Sequence, residues 1–287
     1  MRIFVTGGTG FIGGHFINRA FASGHQVVAL RRDGASPRIT LSAEPDWIDG
    51  DLDGNYPSVF KGVNAFVHLA SHTTNPPYAP LQECLYWNVY AATCLAMQAA
   101  DQGVSRFVIA GSCFEYGRTA DELRALSVDS PLKPFSTYPI SKAAASLAFE
   151  GFCRDRWVSL TLCRIFQAYG EGEHETRFWP SLRRAALSGE NFPMSSGSQI
   201  REFVSAAEVA RALMLCVESP PPLGDPRKCH IVGTNPQSLL AFAKDWWIKF
   251  GAKGQLLPGA LPPRTGEMMR IVSIRDDWSV ISPVDLP

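Results

Sequence analysis

A tyrosine and a lysine stand four residues apart in the segment Tyr138-Pro139-Ile140-Ser141-Lys142. On a helix this spacing places both side chains on one face. An ammonium group beside a phenol favours the phenolate and lowers a pKa whose reference value is about 10. Such a tyrosine can give a proton to a carbonyl oxygen or take one from an alcohol. Proline suits the first helical position, so we expect Tyr138 at the entrance of a helix, facing a cleft.

Three glycines, Gly7, Gly10 and Gly13, lie between an apolar β-rich run and a helical pattern with the spacing G-x-x-G-x-x-G. Glycine lets the backbone turn sharply and leaves room for a pyrophosphate. The free N–H groups and the dipole of the following helix favour negative charge at that point. The strand-turn-helix context therefore predicts a dinucleotide-binding site.

The end of the second predicted strand distinguishes two forms of the dinucleotide. NAD sites usually place an acid there to hold the ribose 2′-hydroxyl, whereas a 2′-phosphate is bound by arginine. The sequence has Arg31 and Arg32 at this point, and Asp33 comes two residues late. We expect a bidentate contact to a 2′-phosphate, which predicts NADP, with NAD as the alternative. Asp51, followed by Leu52, either meets the adenine amino group or caps a turn.

Alternating short apolar strands and longer helices surround these residues. Strands are predicted at 3–5, 26–30, 64–69, 106–110 and 158–164, and helices at 11–23, 81–101 and 137–156. This pattern indicates a Rossmann-type, doubly wound parallel α/β sheet covered on both faces. After Tyr169 the rhythm breaks into loops and helical pieces at 180–188, 206–217 and 238–250. We predict a cofactor domain at 1–168 and a smaller, interleaved α/β substrate lobe, mainly 169–287, over the carboxyl edge of the sheet, with some segments returning to the first domain.

The composition excludes several classes of protein. The 287 residues carry 27 basic and 27 acidic groups, which argues against nucleic-acid binding by broad phosphate neutralisation. Seven cysteines without a C-x-x-C pair, and no signal-type stretch, predict reduced thiols in a cytoplasmic protein. No apolar run approaches the roughly 18 residues that cross a bilayer, so no membrane partner is expected. No His/Cys/carboxylate set has ligand spacing, so no metal is expected.

Several motifs, in the same order, resemble the extended short-chain dehydrogenase/reductase family of nucleotide-sugar epimerases, dehydratases and reductases. They are residues 6–13 (TGGTGFIG), 68–70 (HLA), Ser112 four residues before Tyr116-Gly117, Tyr138-x-x-x-Lys142, 164–170 (RIFQAYG) and 201–204 (REFV). The resemblance extends from residue 1 to about residue 272. It implies a nucleotide-diphosphate sugar as substrate.

The resemblance also implies roles for individual residues. Ser112 would hydrogen-bond the reacting sugar oxygen beside Tyr138, and Lys142 would also hold the nicotinamide ribose. Arg201 and Arg264 would bind the nucleotide diphosphate, while Asn88 would be structural. The expected cofactor-binding residues are Gly7, Thr9, Gly10, Phe11, Ile12, Gly13, Arg31, Arg32, Asp51, Leu52, Leu69, Ala70, Tyr138, Lys142 and Ile165. The expected substrate-binding residues are His72, Cys113, Gln167, Arg201 and Arg264.

Departures from the family pattern narrow the reaction. Dehydratases of this family carry an Asp-Glu pair directly after the serine or threonine, where this chain has Cys113 and Phe114. Neither can do that proton transfer, so a 4,6-dehydratase is not expected. A Cys/His pair would suggest 3,5-epimerisation, but Cys113 is one residue out of place and Arg177 occupies the histidine position. We therefore expect a small buried thiol. Gln167 replaces the usual Asn, and Glu171 replaces the usual Pro. Both changes lie near the expected sugar pocket, so the resemblance does not predict which sugar is bound.

Residues 170–173 and 259–267 look most like bacterial 4-ketoreductases that make 6-deoxyhexose nucleotides, of the CDP-abequose synthase type. The predicted activity is hydride transfer from NADPH to C4 of a nucleotide-linked 4-keto-6-deoxyhexose in deoxysugar biosynthesis, with Tyr138 as general acid. An NAD-dependent 4-epimerase and a non-catalytic NADP-binding sensor or scaffold are the alternatives. A homodimer through the helical stretches from Leu81 and Ser141 is expected from the resemblance.

Overall fold

The computed structural model describes residues 1–264 and 266–274, and the backbone of 280–281. The strands are β1 (Arg2–Thr6), β2 (Gln26–Arg31), β3 (Asp46–Asp49), β4 (Ala65–His68), β5 (Arg106–Ser112), β6 (Ser159–Ile165), β7 (Gln167–Tyr169), β8 (Phe192–Met194), β9 (Ile200–Ser205), β10 (Arg227–Ile231), β11 (Pro236–Ser238), β12 (Leu256–Pro258), β13 (Arg270–Ile271) and β14 (Val280–Ile281). The α-helices are α1 (Phe11–Ala22), α2 (Leu81–Leu85), α3 (Ala92–Asp101), α4 (Thr119–Glu122), α5 (Thr137–Arg156), α6 (Phe178–Ser188), α7 (Ala206–Glu218) and α8 (Leu239–Lys249). Among the described residues, no helix is long and apolar enough to span a membrane.

The main sheet has the strand order β14-β10-β6-β5-β4-β1-β2-β3, and neighbouring strands are parallel. The order runs outward from β1 to β3 on one side and from β4 to β14 on the other. The chain therefore changes direction between β1 and β4, and a crevice opens at the carboxyl ends of these two strands. This topology confirms the predicted Rossmann-type sheet.

Both faces of the sheet are buried, because alternate residues of each strand point to opposite faces. In β1, Ile3 and Val5 lie in the core formed with α1 and α7, whereas Phe4 lies in the core formed with α3 and α5. Strands that pack on two layers must be apolar on both sides, which explains the continuous apolar runs of the sequence.

The predicted helix at 81–101 is interrupted. Between α2 and α3 the residues Tyr86–Ala91 form a π-helical turn, which contains the buried Asn88. Such turns insert one extra residue into a helix and are frequent at functional sites. The apolar periodicity of the sequence did not show it.

The remaining strands form two smaller sheets. In one, β9 pairs with β7, β11 and β13, and in the other β8 pairs with β12. Helices α6 and α8 pack together through Leu182 and Trp247. Although they follow residue 168, α7, β10 and β14 lie with the main sheet.

Candidate active site

Two glycines at the turn after β1 stand where a side chain would not fit. Gly7 has φ +74°, and a Cβ built on it would lie 2.5 Å from the amide nitrogen of Ala70. A Cβ on Gly13 would lie 2.0 Å from the carbonyl oxygen of Gly7. Helix α1 starts after Gly10 with no side-chain cap and no acid in its first turn. Its first N–H groups can therefore meet an anion, and these residues fit the pyrophosphate of a dinucleotide.

The adjoining strand ends are joined by a buried polar contact. The Oγ1 atom of Thr6 lies 2.7 Å from Nδ1 of His68, and the Leu69 amide donates to the Thr6 carbonyl. Burial, assisted by the charge of Lys142, lowers the pKa of His68 to about 3. His68 is therefore neutral, and it holds the β4 end, with Leu69 and Ala70, against β1.

Arg31 lies at the end of β2, where a 2′-phosphate is expected. Its Nε donates to Oδ1 of Asp49 at 2.7 Å, and its guanidinium lies 4.9 Å from the ring centroid of Trp47. Arg32 follows it and is exposed. The sequence did not show that Arg31 has an acidic neighbour, because Asp49 comes from the next strand in the sheet.

Ser112, Tyr138 and Lys142 meet at the carboxyl edge of the sheet. Ser112 is the last residue of β5, and Tyr138 and Lys142 lie on the first turns of α5. The Ser112 hydroxyl is hydrogen-bonded to the Tyr138 phenol. The Lys142 Nζ donates to the carbonyl of Ala110 at 2.6 Å. All three side chains are buried.

The expectation that lysine lowers the Tyr138 pKa is wrong for this structure. Burial raises the pKa of Tyr138 above its ordinary value, and the hydrogen bond from Ser112 opposes this only in part. Burial also lowers the pKa of Lys142. A buried phenol disfavours its charged form. In this state Tyr138 is a proton donor.

An aromatic ring from the loop before α2 faces Tyr138, and two arginines from later segments lie near that ring. The rings of Tyr78 and Tyr138 have centroids 5.4 Å apart. Burial raises the pKa of Tyr78, while the charges of Arg177 and Arg264 lower it, so both arginines lie near this phenol. Arg177 also donates to Oδ1 of Asn75 at 3.1 Å. Tyr78 was not predicted from the sequence, because it lies in a proline-rich loop without periodic spacing.

Arg201 on β9 is buried. Its Nη2 donates to the Met268 carbonyl at 2.6 Å, and it lies 3.8 Å from the Glu267 carboxylate. The neighbouring Cys113 is buried as well, and burial raises its pKa to about 12. The expected buried thiol fits this environment. A role of Arg201 and Arg264 in binding a diphosphate stays a prediction.

His72 is held by the π-helical turn. Its backbone N–H donates to Oδ1 of Asn88 at 2.6 Å, and the Asn88 amide donates to the Ser141 hydroxyl on α5 at 2.9 Å. Asn88 thus ties the loop after β4 to the helix that carries Tyr138. The His72 ring faces Glu83 at 3.4 Å.

The other predicted residues surround this centre and stay predictions as ligands. They are Thr9 in the glycine turn, Phe11 and Ile12 in the first turn of α1, Asp51 and Leu52 after β3, Ile165 at the end of β6 and Gln167 at the start of β7. The backbone carbonyl of Asp51 accepts from the Tyr56 phenol, which closes a turn. The Asp51 side chain itself is exposed.

Three buried cysteines lie away from the cleft. The Cys163 sulfur lies 3.7 Å from that of Cys216 and 3.5 Å from that of Cys229. They come from β6, α7 and β10 and belong to the core between the sheet and α7. Their separation in the chain hid this cluster, so the reasoning that no such set exists was wrong. The absence of a metal stays a prediction.

Comparison with known proteins places this cleft among nucleotide-sugar enzymes. A family model described as the NAD dependent epimerase/dehydratase family matches residues 3–231. UDP-glucose 4-epimerase of Corynebacterium glutamicum is 24% identical over 237 residues, covering 76% of this chain and 71% of the relative. The dTDP-D-glucose 4,6-dehydratase of Mus musculus is 25% identical over 265 residues, covering 85% and 71%. MoeE5, solved in complex with UDP-glucose and NAD, superposes with a TM-score of 0.80 at 28% identity, covering 95% of this chain and 89% of that one.

Proposed function

The chain belongs to the NAD dependent epimerase/dehydratase family, and from this premise we propose that it is an NADPH-dependent nucleotide-sugar 4-ketoreductase. Its substrate would be a nucleotide-linked 4-keto-6-deoxyhexose, and its product a deoxysugar donor. The observation that carries the proposal is the buried phenol of Tyr138, which is protonated and hydrogen-bonded to Ser112. A ketone that receives hydride needs one proton at its oxygen, and this phenol supplies it.

Different residues of the chain would bind the cofactor, donate the proton and stabilise the ketone oxygen. A bound nicotinamide supplies the hydride. Gly7, Gly13 and the start of α1 would hold the pyrophosphate. Tyr138 would donate its proton to the ketone oxygen, and the Ser112 hydroxyl would stabilise that oxygen as negative charge develops. Lys142, beside the same phenol on α5, would turn from the Ala110 carbonyl to the nicotinamide ribose.

The carboxyl groups that a dehydratase needs are absent from the positions after Ser112. Cys113 is a buried thiol whose pKa is raised to about 12, and Phe114 packs in an apolar cluster. Glu115, the next residue, uses its carboxylate oxygens for contacts inside the protein. This arrangement supports a hydride transfer with a single proton donor over the elimination of water.

A 4-epimerase is the rival function, because Ser112, Tyr138 and Lys142 can serve it equally and a 4-epimerase is among the relatives. An epimerase keeps its NAD and shows no net redox change. Arg31 and Arg32 favour a 2′-phosphate and thus a reductant that is consumed and replaced. The cofactor therefore distinguishes the two functions.

The first experiment measures the cofactor. The purified protein is denatured, any released nucleotide is quantified, and cofactor-free protein is titrated with NADPH and NADH. Empty protein that binds NADPH more tightly supports the reductase. Nearly one equivalent of NAD carried through purification would overturn it in favour of the epimerase.

A second experiment separates enzyme from sensor. Tyr138→Phe should abolish turnover of the 4-ketosugar nucleotide and leave NADPH binding intact, because it removes only the phenol hydroxyl that would donate the proton. Leu223→Ala is the control, since Leu223 is 47% exposed and lies outside both the proposed site and the proposed dimer faces. Retained turnover in Tyr138→Phe would refute the catalytic assignment. No turnover in the wild type, together with tight NADPH binding, would favour the sensor.

We also propose a homodimer formed by the faces of the π-helical turn and of α5. Tyr90 and Leu147 are 60% and 63% exposed on these two elements. Apolar side chains with this exposure would be buried by a second copy. Light scattering after size-exclusion chromatography tests this, and Leu147→Glu should yield a monomer.

A further inference from the structure

Behind the catalytic serine lies a buried acid that the proposed reaction does not use. Glu115 has no exposed surface and ends a capping box with Ser112. Its Oε1 accepts from the Ser112 backbone N–H at 2.7 Å. Its Oε2 accepts from the Ser146 hydroxyl and from Nε of Arg164, each at 2.8 Å. The carboxylate thus joins β5, α5 and β6.

The chain makes room for this carboxylate. A Cβ on Gly111 would lie 2.7 Å from Oε1 of Glu115 and 3.2 Å from Cγ of Arg164. Arg164 is buried and donates further to the Tyr116 hydroxyl and the Val128 carbonyl. A buried ion pair costs desolvation energy that only a full set of hydrogen bonds offsets. This pair has such a set, which fixes the carboxylate in one place.

The contacts of Glu115 reach the two elements that must be aligned for the reaction. Ser112 ends β5, while Ser146 lies one turn after Lys142 on the helix that also carries Tyr138. A rigid link between them fixes the distance between the Ser112 hydroxyl and the phenol. Displacements of about 1 Å in such a geometry can cost about 100-fold in rate.

We propose that Glu115 is a positioning residue for the ketone reduction, which holds Ser112 against Tyr138 and places a fixed negative charge behind them. This inference rests on the proposed function for its kinetic readout only. The geometry of the link belongs to the protein itself.

The fixed charge has a second consequence. Glu115 raises the pKa of Tyr138 and thus helps to keep the phenol protonated, although burial is the larger cause. Three titratable groups act on this phenol: Glu115 and Cys113 on the turn after β5, and Tyr78 in the loop before α2. Further charges act on these neighbours. Arg164 on β6 pairs with Glu115, Arg201 and Glu202 on β9 act on Cys113, Arg177 and Arg264 act on Tyr78, and Lys142 on α5 acts on His68. Loss of the Glu115 charge would leave the Arg164 charge unbalanced. Both changes favour the phenolate.

The test compares four variants by the pH profile of kcat for ketosugar reduction. Glu115→Gln should lower kcat by about 100-fold and move the alkaline limb to lower pH by about one pH unit. Arg164→Met leaves the buried carboxylate without its ion partner, so the link between β5 and α5 should loosen and kcat should fall. Ser146→Ala removes a hydrogen bond without a charge and should leave the limb in place. Glu122→Gln, at an exposed ion pair with Lys133, is the control with an unchanged profile.

A purely structural role would lower kcat in Glu115→Gln without moving the limb, and that result would overturn the proposal. Should Glu115→Gln fail to fold, Glu115→Asp takes its place. It keeps the charge but shortens the side chain, so kcat should fall while the limb stays. Wild-type kcat in Glu115→Asp would also contradict the positioning role.

A second readout needs no substrate. The tyrosinate absorbance of each variant is followed with rising pH, and the same variant carrying Tyr138→Phe is subtracted. Glu115→Gln should ionise Tyr138 at lower pH than the wild type does. A shift of this signal without any ketosugar turnover would support the role of Glu115 and refute the proposed reductase activity. If the wild type turns over the ketosugar but neither readout shifts in Glu115→Gln, the role of Glu115 is refuted and the reductase activity is not.

Discussion

Glu173 allows a test of whether burial raises the pKa of a carboxyl group in this protein. Its side chain is only 6% exposed, and burial raises its pKa from 4.5 to about 7, although Arg177 lowers it in part. Arg177 donates to Oε1 at 3.3 Å. Within the part of the chain that the structure describes, Oε2 is buried without a hydrogen-bond partner. The substitution Glu173→Gln keeps the shape of this side chain and removes its ability to ionise.

The raised pKa fixes the sign of the effect on stability. The folded state holds the Glu173 proton more tightly than the unfolded chain, so the stabilisation is fully present below pH 4.5 and is lost as the pH rises to 7. The full contribution is about 3 kcal/mol, and solvent screening reduces it little at this exposure. Between pH 5 and 8 the loss amounts to about 2.5 kcal/mol of unfolding free energy. Glutamine does not ionise, so Glu173→Gln escapes this loss.

The assay is urea unfolding of wild type and Glu173→Gln at several pH values from 5 to 8. The difference in unfolding free energy, variant minus wild type, should rise with pH by about 2.5 kcal/mol, since all other groups cancel. Glu175→Gln is the matched control, because Glu175 is exposed in the same loop, and its difference should stay flat. Parallel curves for wild type and Glu173→Gln would refute the argument that burial raises the pKa of this carboxyl.

Three further changes test the cofactor end and the scaffold. Arg31→Ala combined with Arg32→Ala should weaken NADPH binding at least 10-fold and leave NADH binding nearly unchanged in fluorescence titrations; equal weakening of both would remove the 2′-phosphate assignment. Gly13→Ala should abolish dinucleotide binding by calorimetry, because the new Cβ would lie 2.0 Å from the Gly7 carbonyl oxygen; normal affinity would contradict the tight turn. Gly151→Ala in α5 meets nothing within 4 Å and should raise the unfolding free energy by about 0.5–1 kcal/mol, with a wild-type kcat; a loss of stability would contradict this open site.

The parts that local pattern determines were predictable from the sequence. Helix α5 was predicted at 137–156 and has these bounds, since its start at Thr137 and its periodicity are local features. The glycine turn after β1 was predictable for the same reason. The parallel arrangement of the sheet was also predictable. Its strands are continuous apolar runs, whereas a strand with one solvent-exposed face would alternate apolar and polar residues.

Contacts across strands and loops were not predictable in this way. Asp49 lies beside Arg31 only because β3 pairs with β2, and Tyr78 stacks near Tyr138 only because the loop before α2 folds back on α5. The pKa of Tyr138 shows the same limit. Sequence spacing identifies a lysine on the same face of the helix, whereas the burial that raises the pKa of Tyr138 depends on the whole fold.

The distribution of charge also limits the chemistry of this cleft. Two buried acids form ion pairs within the protein, Glu115 with Arg164 and Glu173 with Arg177. The helix start at α1 carries no acid, and Arg264 lies near Tyr78. Under the proposed function, a pyrophosphate at α1 and a diphosphate at the arginines would each meet complementary charge. Tyr138, a buried phenol whose pKa is raised, would then supply the single proton that the proposed hydride transfer needs.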